Sequence, residues 1–177
     1  MSPIQTLMTQ DQKPMIAGFL RTLNLFSVFS DQQIVKLVET GKLTHFNKAS
    51  TIVVEGENSQ GLHVIAEGLV SVHKSASDGT SLVRLAHLEK GAIFGELSLI
   101  NKAPRAATVI AESPVQTFEL EADNFQSFIN QTDMAVKLGF YKNCSEDLAE
   151  RFRLQNEDYL NTQRLLWKKA FTKTKSA

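Results

Sequence analysis

Residues 91–109 have the sequence Gly-Ala-Ile-Phe-Gly-Glu-Leu-Ser-Leu-Ile-Asn-Lys-Ala-Pro-Arg-Ala-Ala-Thr-Val, and no other stretch of the chain says as much about its fold. Gly95 has no Cβ atom, so the main chain there can approach a ligand closely. Residues 96–100 can form one short helical turn whose free N–H groups suit a phosphate. Arg105 can bind the same anion through two parallel hydrogen bonds, and Ala106 leaves room for a flat ligand. The stretch therefore predicts an anion-binding loop.

This stretch closely resembles the phosphate-binding cassette of cyclic nucleotide-binding domains, which has the form Phe-Gly-Glu-Leu-Ala-Leu-Ile, a short spacer and Pro-Arg-Ala-Ala-Thr-Val. Only Ser98 departs from the first part of that pattern. The resemblance implies that Arg105 pairs with the cyclic phosphate and that Glu96 accepts a hydrogen bond from the ribose 2′-hydroxyl. It also implies a wider set of ligand-binding residues, namely Phe94, Gly95, Leu97, Ser98, Ala106 and Ala107. Residues 91–109 are called the cassette below.

A second interpretation of the same residues is a relic that keeps the fold and binds nothing. In that case Glu96 and Arg105 would form an internal ion pair. The resemblance favours ligand binding, because members of the family that bind no nucleotide have typically lost the Arg or the Glu. Both residues are present here, together with Gly95 and the Pro-Arg-Ala-Ala string.

Composition and charge exclude several other classes of protein. The 177 residues carry 19 Lys and Arg against 19 Asp and Glu, which argues against a basic nucleic-acid surface. Cys144 is the only cysteine, and the four histidines lack the close spacing of a metal site. No apolar run reaches the ~18 residues of a membrane span, and the N-terminus does not resemble a signal peptide. Because neither a membrane span nor a signal peptide is visible, we expect a cytoplasmic protein. Because the sequence has no metal cluster and no nucleophile–base pair, we expect that it is not an enzyme and needs no metal or cofactor.

The order of hydrophobic patterns predicts an α+β fold. Ser30 to Gln33 form a capping-box pattern that opens a helix, and Gly41 follows its end. From Leu43 to Leu120 the period changes to two, with Gly and Asp-Gly turns, which indicates an antiparallel β-roll or jelly-roll-like barrel. The predicted segments are a flexible N-terminus (1–12), N-terminal helices (13–42), the β-roll (43–132), a long C-terminal helix (133–170) and a basic tail (171–177).

The long C-terminal helix has a spacing that is typical of a coiled coil. Six residues follow a 4-3-4-3-4 spacing and define what we call the outer seam: Leu148, Phe152, Gln155, Tyr159, Thr162 and Leu166. The resemblance implies that this helix caps the base, forms the dimer interface or does both, and the outer seam favours a homodimer. Resemblance to the dimer helix of the catabolite-activator branch implies that Gln155 and Asn156 contact the base, partly across the dimer, although an exposed polar pair would look the same. Phe152 could stack on the base or pack in the interface.

Two further features indicate which nucleotide the protein prefers and how it passes on its signal. In the kinase branch of the family, cGMP-preferring sites often have Thr directly after the cassette Arg, and this chain has Ala106 there. The resemblance therefore favours cAMP over cGMP. Because no helix-turn-helix, kinase or channel segment is attached, we expect a stand-alone sensor that acts on a separate effector protein through its terminal helix. The alternative is a ligand-independent protein-interaction module that retains the fold.

Overall fold

The computed structural model of the chain describes residues 4–6, 8–58, 61–76, 79, 81–96, 99 and 103–173. Its helices lie before and after a β-structure, as the change of hydrophobic period predicts. They are α1 (Gln12–Arg21), a 3₁₀ turn (Asn24–Phe26), α2 (Asp31–Thr40), α3 (Ala122–Asn130) and α4 (Met134–Lys173). The strands are β1 (Ile4–Thr6), β2 (Lys42–Phe46), β3 (Thr51–Val53), β4 (Gly61–Glu67), β5 (Leu69–Ser75), β6 (Leu82–Glu89), β7 (Ile93–Phe94), β8 (Thr108–Ala111) and β9 (Val115–Glu121).

Helix α2 begins at the capping box predicted from the sequence. The Ser30 hydroxyl accepts a hydrogen bond from the Gln33 main-chain N–H, and the Gln33 side chain accepts one from the Ser30 N–H. These two bonds satisfy donors that the first turn of a helix otherwise leaves free. The helix ends at Thr40, so the predicted stop near Gly41 is confirmed.

The strands form two antiparallel sheets that together make the predicted β-roll. One sheet has the order β1-β2-β9-β4-β7 and the other the order β3-β8-β5-β6. Strand β4 pairs with β9 from Gly61 opposite Glu121, and β5 pairs with β6 from Leu69 opposite Glu89. Strand β6 lies at the edge of the second sheet and pairs only with β5 among the described strands.

The N-terminal segment differs in part from the sequence expectation. Residues 4–6, which the sequence places in a flexible segment, form β1 and pair with β2, with Ile4 opposite His45. This short strand covers an edge of β2 that would otherwise offer unpaired main-chain groups. The segment is too short and too polar for a periodic pattern to reveal the pairing.

The start of α4 is anchored in the larger hydrophobic core. Phe140 is fully buried and packs against the rings of Phe125 and Phe29, with ring centroids 4.8 and 5.7 Å apart. The Asn143 side chain donates to the Asn24 carbonyl oxygen at 2.7 Å and to the Ser27 hydroxyl at 3.2 Å. Helix α4 is therefore fixed to the helical part of the molecule over its first three turns.

The rest of α4 extends beyond this core. At 1.5 Å per residue the 40-residue helix is about 60 Å long, and Gly139 does not break it. Large apolar side chains on its distal part are exposed, among them Phe152 (63%), Tyr159 (61%) and Trp167 (61%). None of the helices in the described part of the chain is both long and apolar enough to span a membrane.

Candidate functional site

A cavity of about 430 Å³ lies between the second sheet, the cassette and α4. The cassette, together with β3 and β5, contributes one part of the lining, which we call the cassette wall, and residues 85–88 of β6 contribute a second part. Helix α4 contributes a third part, the helix wall, with the residues Arg151, Leu154, Gln155 and Asp158. The lining residues of the cassette are Phe94, Gly95, Glu96, Ala103, Pro104, Arg105, Ala106, Ala107 and Val109. The volume is in the range typical of small-molecule sites.

Arg105 is the main cation of this cavity and is 9% exposed. Its Nη1 is buried and has no hydrogen-bond partner among the residues described. Burial lowers the pKa of the guanidinium, whereas the carboxylates of Glu119, Glu96 and Glu57 raise it. A buried guanidinium with a free donor is costly unless an anion completes its hydrogen bonds. The geometry therefore favours an anionic ligand.

Gly95 makes room for this arginine. Its φ is +82°, a conformation that favours glycine. A Cβ atom at this position would collide with Arg105 Nη1 and would lie 2.5 Å from the Gly61 carbonyl oxygen. The main chain of the arginine is also held, because the Arg105 N–H donates to the Glu57 carbonyl at 2.8 Å and the Gly56 N–H donates to the Arg105 carbonyl at 2.9 Å.

Glu96 lies beside the arginine and is 6% exposed. Its carboxylate pairs with Arg151 of α4 at 3.1 Å. The same guanidinium donates to the Ile93 carbonyl oxygen at 2.8 Å and pairs with Asp147 at 2.8 Å. Burial raises the pKa of Glu96, and the charge of Arg151 opposes that shift. Glu96 is thus a hydrogen-bond acceptor at the boundary between the cassette and the long helix.

His63 and Phe94 connect this region to the interior of the roll. The two rings stack with centroids 4.8 Å apart and an interplanar angle of 7°. Burial is the main reason why the pKa of His63 falls to about 3, and the positive charges of Arg105 and Lys42 lower it further. His63 is therefore neutral at pH 7 and adds no positive charge beside Arg105.

The family model described as "Cyclic nucleotide-binding domain" matches residues 43–132, just over half of the 177-residue chain. The chain belongs to the cyclic nucleotide-binding domain family. A "cAMP-dependent protein kinase regulatory subunit" of Colletotrichum orbiculare is 26% identical over 147 residues, which is 83% of this chain and 37% of that one. The "cGMP-dependent protein kinase 2" of Homo sapiens is 26% identical over 137 residues, which is 76% of this chain and 18% of that one. The chain thus spans well under half the length of these curated relatives.

A solved structure supports the same fold. A cyclic nucleotide-binding domain from Methylobacillus flagellatus superposes with a TM-score of 0.74 at 22% identity, over 90% of this chain and 89% of that one. This likeness extends beyond the 90 residues of the family match to most of the chain.

The structure brings six of the predicted site residues of the domain together around one cavity. These six residues are Phe94, Gly95, Glu96, Arg105, Ala106 and Ala107. The predicted residues Leu97 and Ser98 lie outside the described residues. Of the three candidates on α4, Gln155 lines the cavity, whereas Asn156 and Phe152 do not. Phe152 is 63% exposed and belongs to the outer seam.

Sequence reasoning missed three cavity residues of α4, which are Arg151, Leu154 and Asp158. They belong to a second 4-3-4-3-4 pattern, the inner seam, which faces the roll: Phe140, Cys144, Asp147, Arg151, Leu154 and Asp158. At 100° per residue the inner and outer seams lie roughly 80° apart around the helix. Half of the inner seam is charged, so an apolar pattern alone does not find it, although the Asp147–Arg151 spacing was a visible signal.

Proposed function

We propose that this domain binds a cyclic nucleotide in the cavity beneath α4. The observation that carries the proposal is the buried Arg105, whose Nη1 has no partner among the residues described. A phosphate would supply that partner as a charge-assisted hydrogen bond. Glu96 lies in the same cavity and can accept a hydrogen bond from a ribose hydroxyl. A cyclic nucleotide carries both groups on one rigid ring system.

We propose further that the preferred ligand is cAMP. Ala106 lines the cavity next to the arginine and offers no hydroxyl to a guanine amino group. A base placed beyond the ribose would lie between β6 and α4, where Leu85 and Leu154 supply apolar contacts and Gln155 supplies both a donor and an acceptor. The relatives include a cAMP-dependent and a cGMP-dependent kinase protein, so the local chemistry at Ala106 is the basis of this preference.

The signal would pass through α4 to a separate effector protein. Glu96 is shared, because the carboxylate that would accept the ribose hydroxyl also pairs with Arg151. Since Arg151 is part of α4, a ligand that changes the contacts of Glu96 changes the free energy of the present helix position. The ligand would then favour one of two arrangements of the distal helix. In this proposal the domain is a regulatory protein and performs no catalysis.

The outer seam supports a homodimer through α4. Three of its six residues are large and more than half exposed: Phe152, Tyr159 and Leu166. In a parallel coiled coil, a side chain on one flank of the seam lies close to a side chain on the opposite flank of the partner helix. Asn156 and Arg151 lie on opposite flanks of the outer seam. Asn156 of a second copy would therefore lie beside Arg151, so it could contact the ligand only in the dimer.

The alternative function is a ligand-independent interaction module. One observation favours it, namely that Glu96, the expected partner of a ribose hydroxyl, forms an ion pair with Arg151 of the same chain. The exposed apolar side chains of distal α4 could then dock a partner whatever the nucleotide concentration.

Titration calorimetry with cAMP, cGMP and cyclic di-GMP on the same preparation separates these functions. We expect saturable binding of cAMP and cGMP, with cAMP binding more tightly. Tighter binding of cGMP would contradict the base preference alone. No heat of binding for any of the three would contradict the sensor function and leave the interaction module.

A further inference from the structure

The end of strand β5 carries a lysine that contacts the cassette from outside the cavity. Lys74 Nζ donates to the Ala106 carbonyl oxygen at 2.8 Å and pairs with Glu55 Oε1 at 2.6 Å. Glu55 Oε2 in turn accepts from the Ser75 main-chain N–H at 2.8 Å. Neither Lys74 nor Glu55 lines the cavity, so neither can be a direct ligand contact in this arrangement.

The bond from Lys74 constrains the direction of the next amide. A trans peptide unit is planar, and its C=O and N–H groups point to opposite sides. Fixing the Ala106 carbonyl toward Lys74 therefore turns the Ala107 N–H away from Lys74, toward the cavity that Ala106 and Ala107 line. The Gly56 N–H holds the Arg105 carbonyl at 2.9 Å and orients the Ala106 N–H by the same geometry.

We propose that Lys74 is a positioning residue for the ligand phosphate, acting through the Ala106–Ala107 peptide. This inference rests on the proposed nucleotide binding and assigns to Lys74 a role that the cassette alone does not contain. On this proposal, the Ala107 N–H is already oriented in the folded protein toward the position that one exocyclic phosphate oxygen of the ligand will occupy. Preorganised donors of this kind bind more tightly because no reorganisation is needed on binding.

Glu55 keeps Lys74 in place. The hydrogen bonds from Lys74 and from the Ser75 N–H lower the pKa of Glu55 to about 2, so its carboxylate remains charged throughout the neutral range. Because the pKa is lowered, the pairing is fully present above the ordinary pKa and is lost only as the pH falls toward about 2. The Glu55 N–H also donates to the Thr108 hydroxyl at 3.0 Å, which joins this segment to the end of the cassette.

The test compares Lys74→Met with wild type in binding cAMP and the two diastereomers of its phosphorothioate. Sulfur accepts hydrogen bonds poorly, so a fixed N–H aimed at one phosphate oxygen makes the two diastereomers bind unequally. We expect Lys74→Met to weaken cAMP binding roughly tenfold and to bring the two phosphorothioate affinities closer together. Lys74→Arg retains a donor of sufficient length and should bind nearly as wild type does.

Two further variants serve as controls. Glu55→Gln should weaken cAMP binding by a smaller factor than Lys74→Met, because Lys74 loses its anchor and keeps its donor. Lys142→Met removes another lysine with an ion-pair partner, Glu146 at 3.6 Å on the exposed side of α4, and should leave binding unchanged.

The outcomes separate the inference from the function on which it rests. If the wild-type protein binds cAMP and Lys74→Met binds it with the same affinity, the inference about Lys74 is wrong and the proposed function stands. An equal loss for both diastereomers, with a lower melting temperature, would also overturn it, because that is the effect of a general structural role. Failure of the wild-type protein to bind cAMP would overturn the proposed function and this inference together.

Discussion

The two walls of the cavity differ in how firmly they are held. On the cassette wall, Arg105 and Glu96 are 9% and 6% exposed, and main-chain hydrogen bonds tie Arg105 to the β3–β4 loop. On the helix wall, Leu154, Gln155 and Asp158 are exposed side chains on the part of α4 that extends beyond the core. The cassette groups are already positioned in the folded protein, so their contacts with a ligand can contribute directly to its affinity. The helix wall has fewer such constraints, so we expect it to carry the signal and to add to the base selectivity that Ala106 provides.

Arg105→Gln tests the cassette wall and should have the largest effect. It removes the charged partner of the phosphate from a buried position, so we expect cAMP affinity to fall by more than a hundredfold, about 3 kcal/mol. Calorimetry measures the loss. Arg84→Gln changes an exposed arginine of β6 that does not line the cavity, and it should bind as wild type does. A loss of less than threefold in Arg105→Gln would show that the phosphate lies elsewhere.

Gly95→Ala tests whether the rigidity of the cassette wall matters. The new methyl group would strain a backbone with φ of +82° and displace the Arg105 guanidinium, so we expect a loss of about 2–3 kcal/mol of unfolding free energy together with weaker cAMP binding. Denaturant titration and calorimetry give the two values. Gly18 lies in helix α1, and apart from its chain neighbours and the backbone of its own helix no atom lies within 4 Å of the position of the new methyl group, so Gly18→Ala should be neutral or stabilising. Gly95→Ala with wild-type stability and affinity would contradict the tight fit.

The buried His63 behind this wall predicts a pH dependence of stability. Its folded pKa of about 3 lies below its ordinary value of 6.5, so the unfolded chain takes up a proton first as the pH falls. Stability is therefore fully present above 6.5 and is lost toward the lower pKa; between pH 7 and pH 5 we expect a decrease of about 2 kcal/mol. His63→Gln should remove this component of the stability, whereas His45→Gln, at an exposed position of β2, should retain it. Equal slopes in wild type and His63→Gln would refute the assignment.

Gln155→Ala tests the helix wall and should have the smallest effect on affinity. The side chain is exposed at the edge of the cavity, so we expect less than a tenfold weakening of cAMP binding, about 1 kcal/mol, with a change in the cAMP-to-cGMP ratio. Asn161→Ala, on the same helix and outside the cavity, is the matched control. A loss as large as that of Arg105→Gln would mean that the helix wall holds the ligand as firmly as the cassette does.

The difference between the walls also explains what the sequence could predict. The cassette residues are close in the chain and each has a distinctive chemical requirement, so their meeting at one cavity could be foreseen. The capping box at Ser30 and the long helix were likewise visible, because they depend on local contacts and on a repeating pattern. The family match and the two antiparallel sheets confirm the predicted β-roll.

The helix wall could not be predicted in the same way. Two seams with identical spacing lie on one helix, and the choice between them depends on where Phe140 packs, which is a tertiary contact. The outer seam is the more apolar of the two, and its residues Phe152, Tyr159 and Leu166 are exposed. The inner seam carries the charged residues Asp147, Arg151 and Asp158. The dimer predicted from the outer seam remains a prediction. If it is correct, truncation at about residue 145 should give a monomer in sedimentation experiments.

Amide hydrogen exchange across residues 148–158, with and without saturating cAMP, is the most direct test of the claim that the cassette wall holds the ligand and the helix wall responds. We expect cAMP to slow exchange in this segment of the wild-type protein, because Arg151, Leu154 and Gln155 gain contacts with the occupied cavity. We expect no change in Arg105→Gln at the same concentration. Calorimetric saturation of the wild-type protein with unchanged exchange over 148–158 would show that the helix wall does not respond to the ligand.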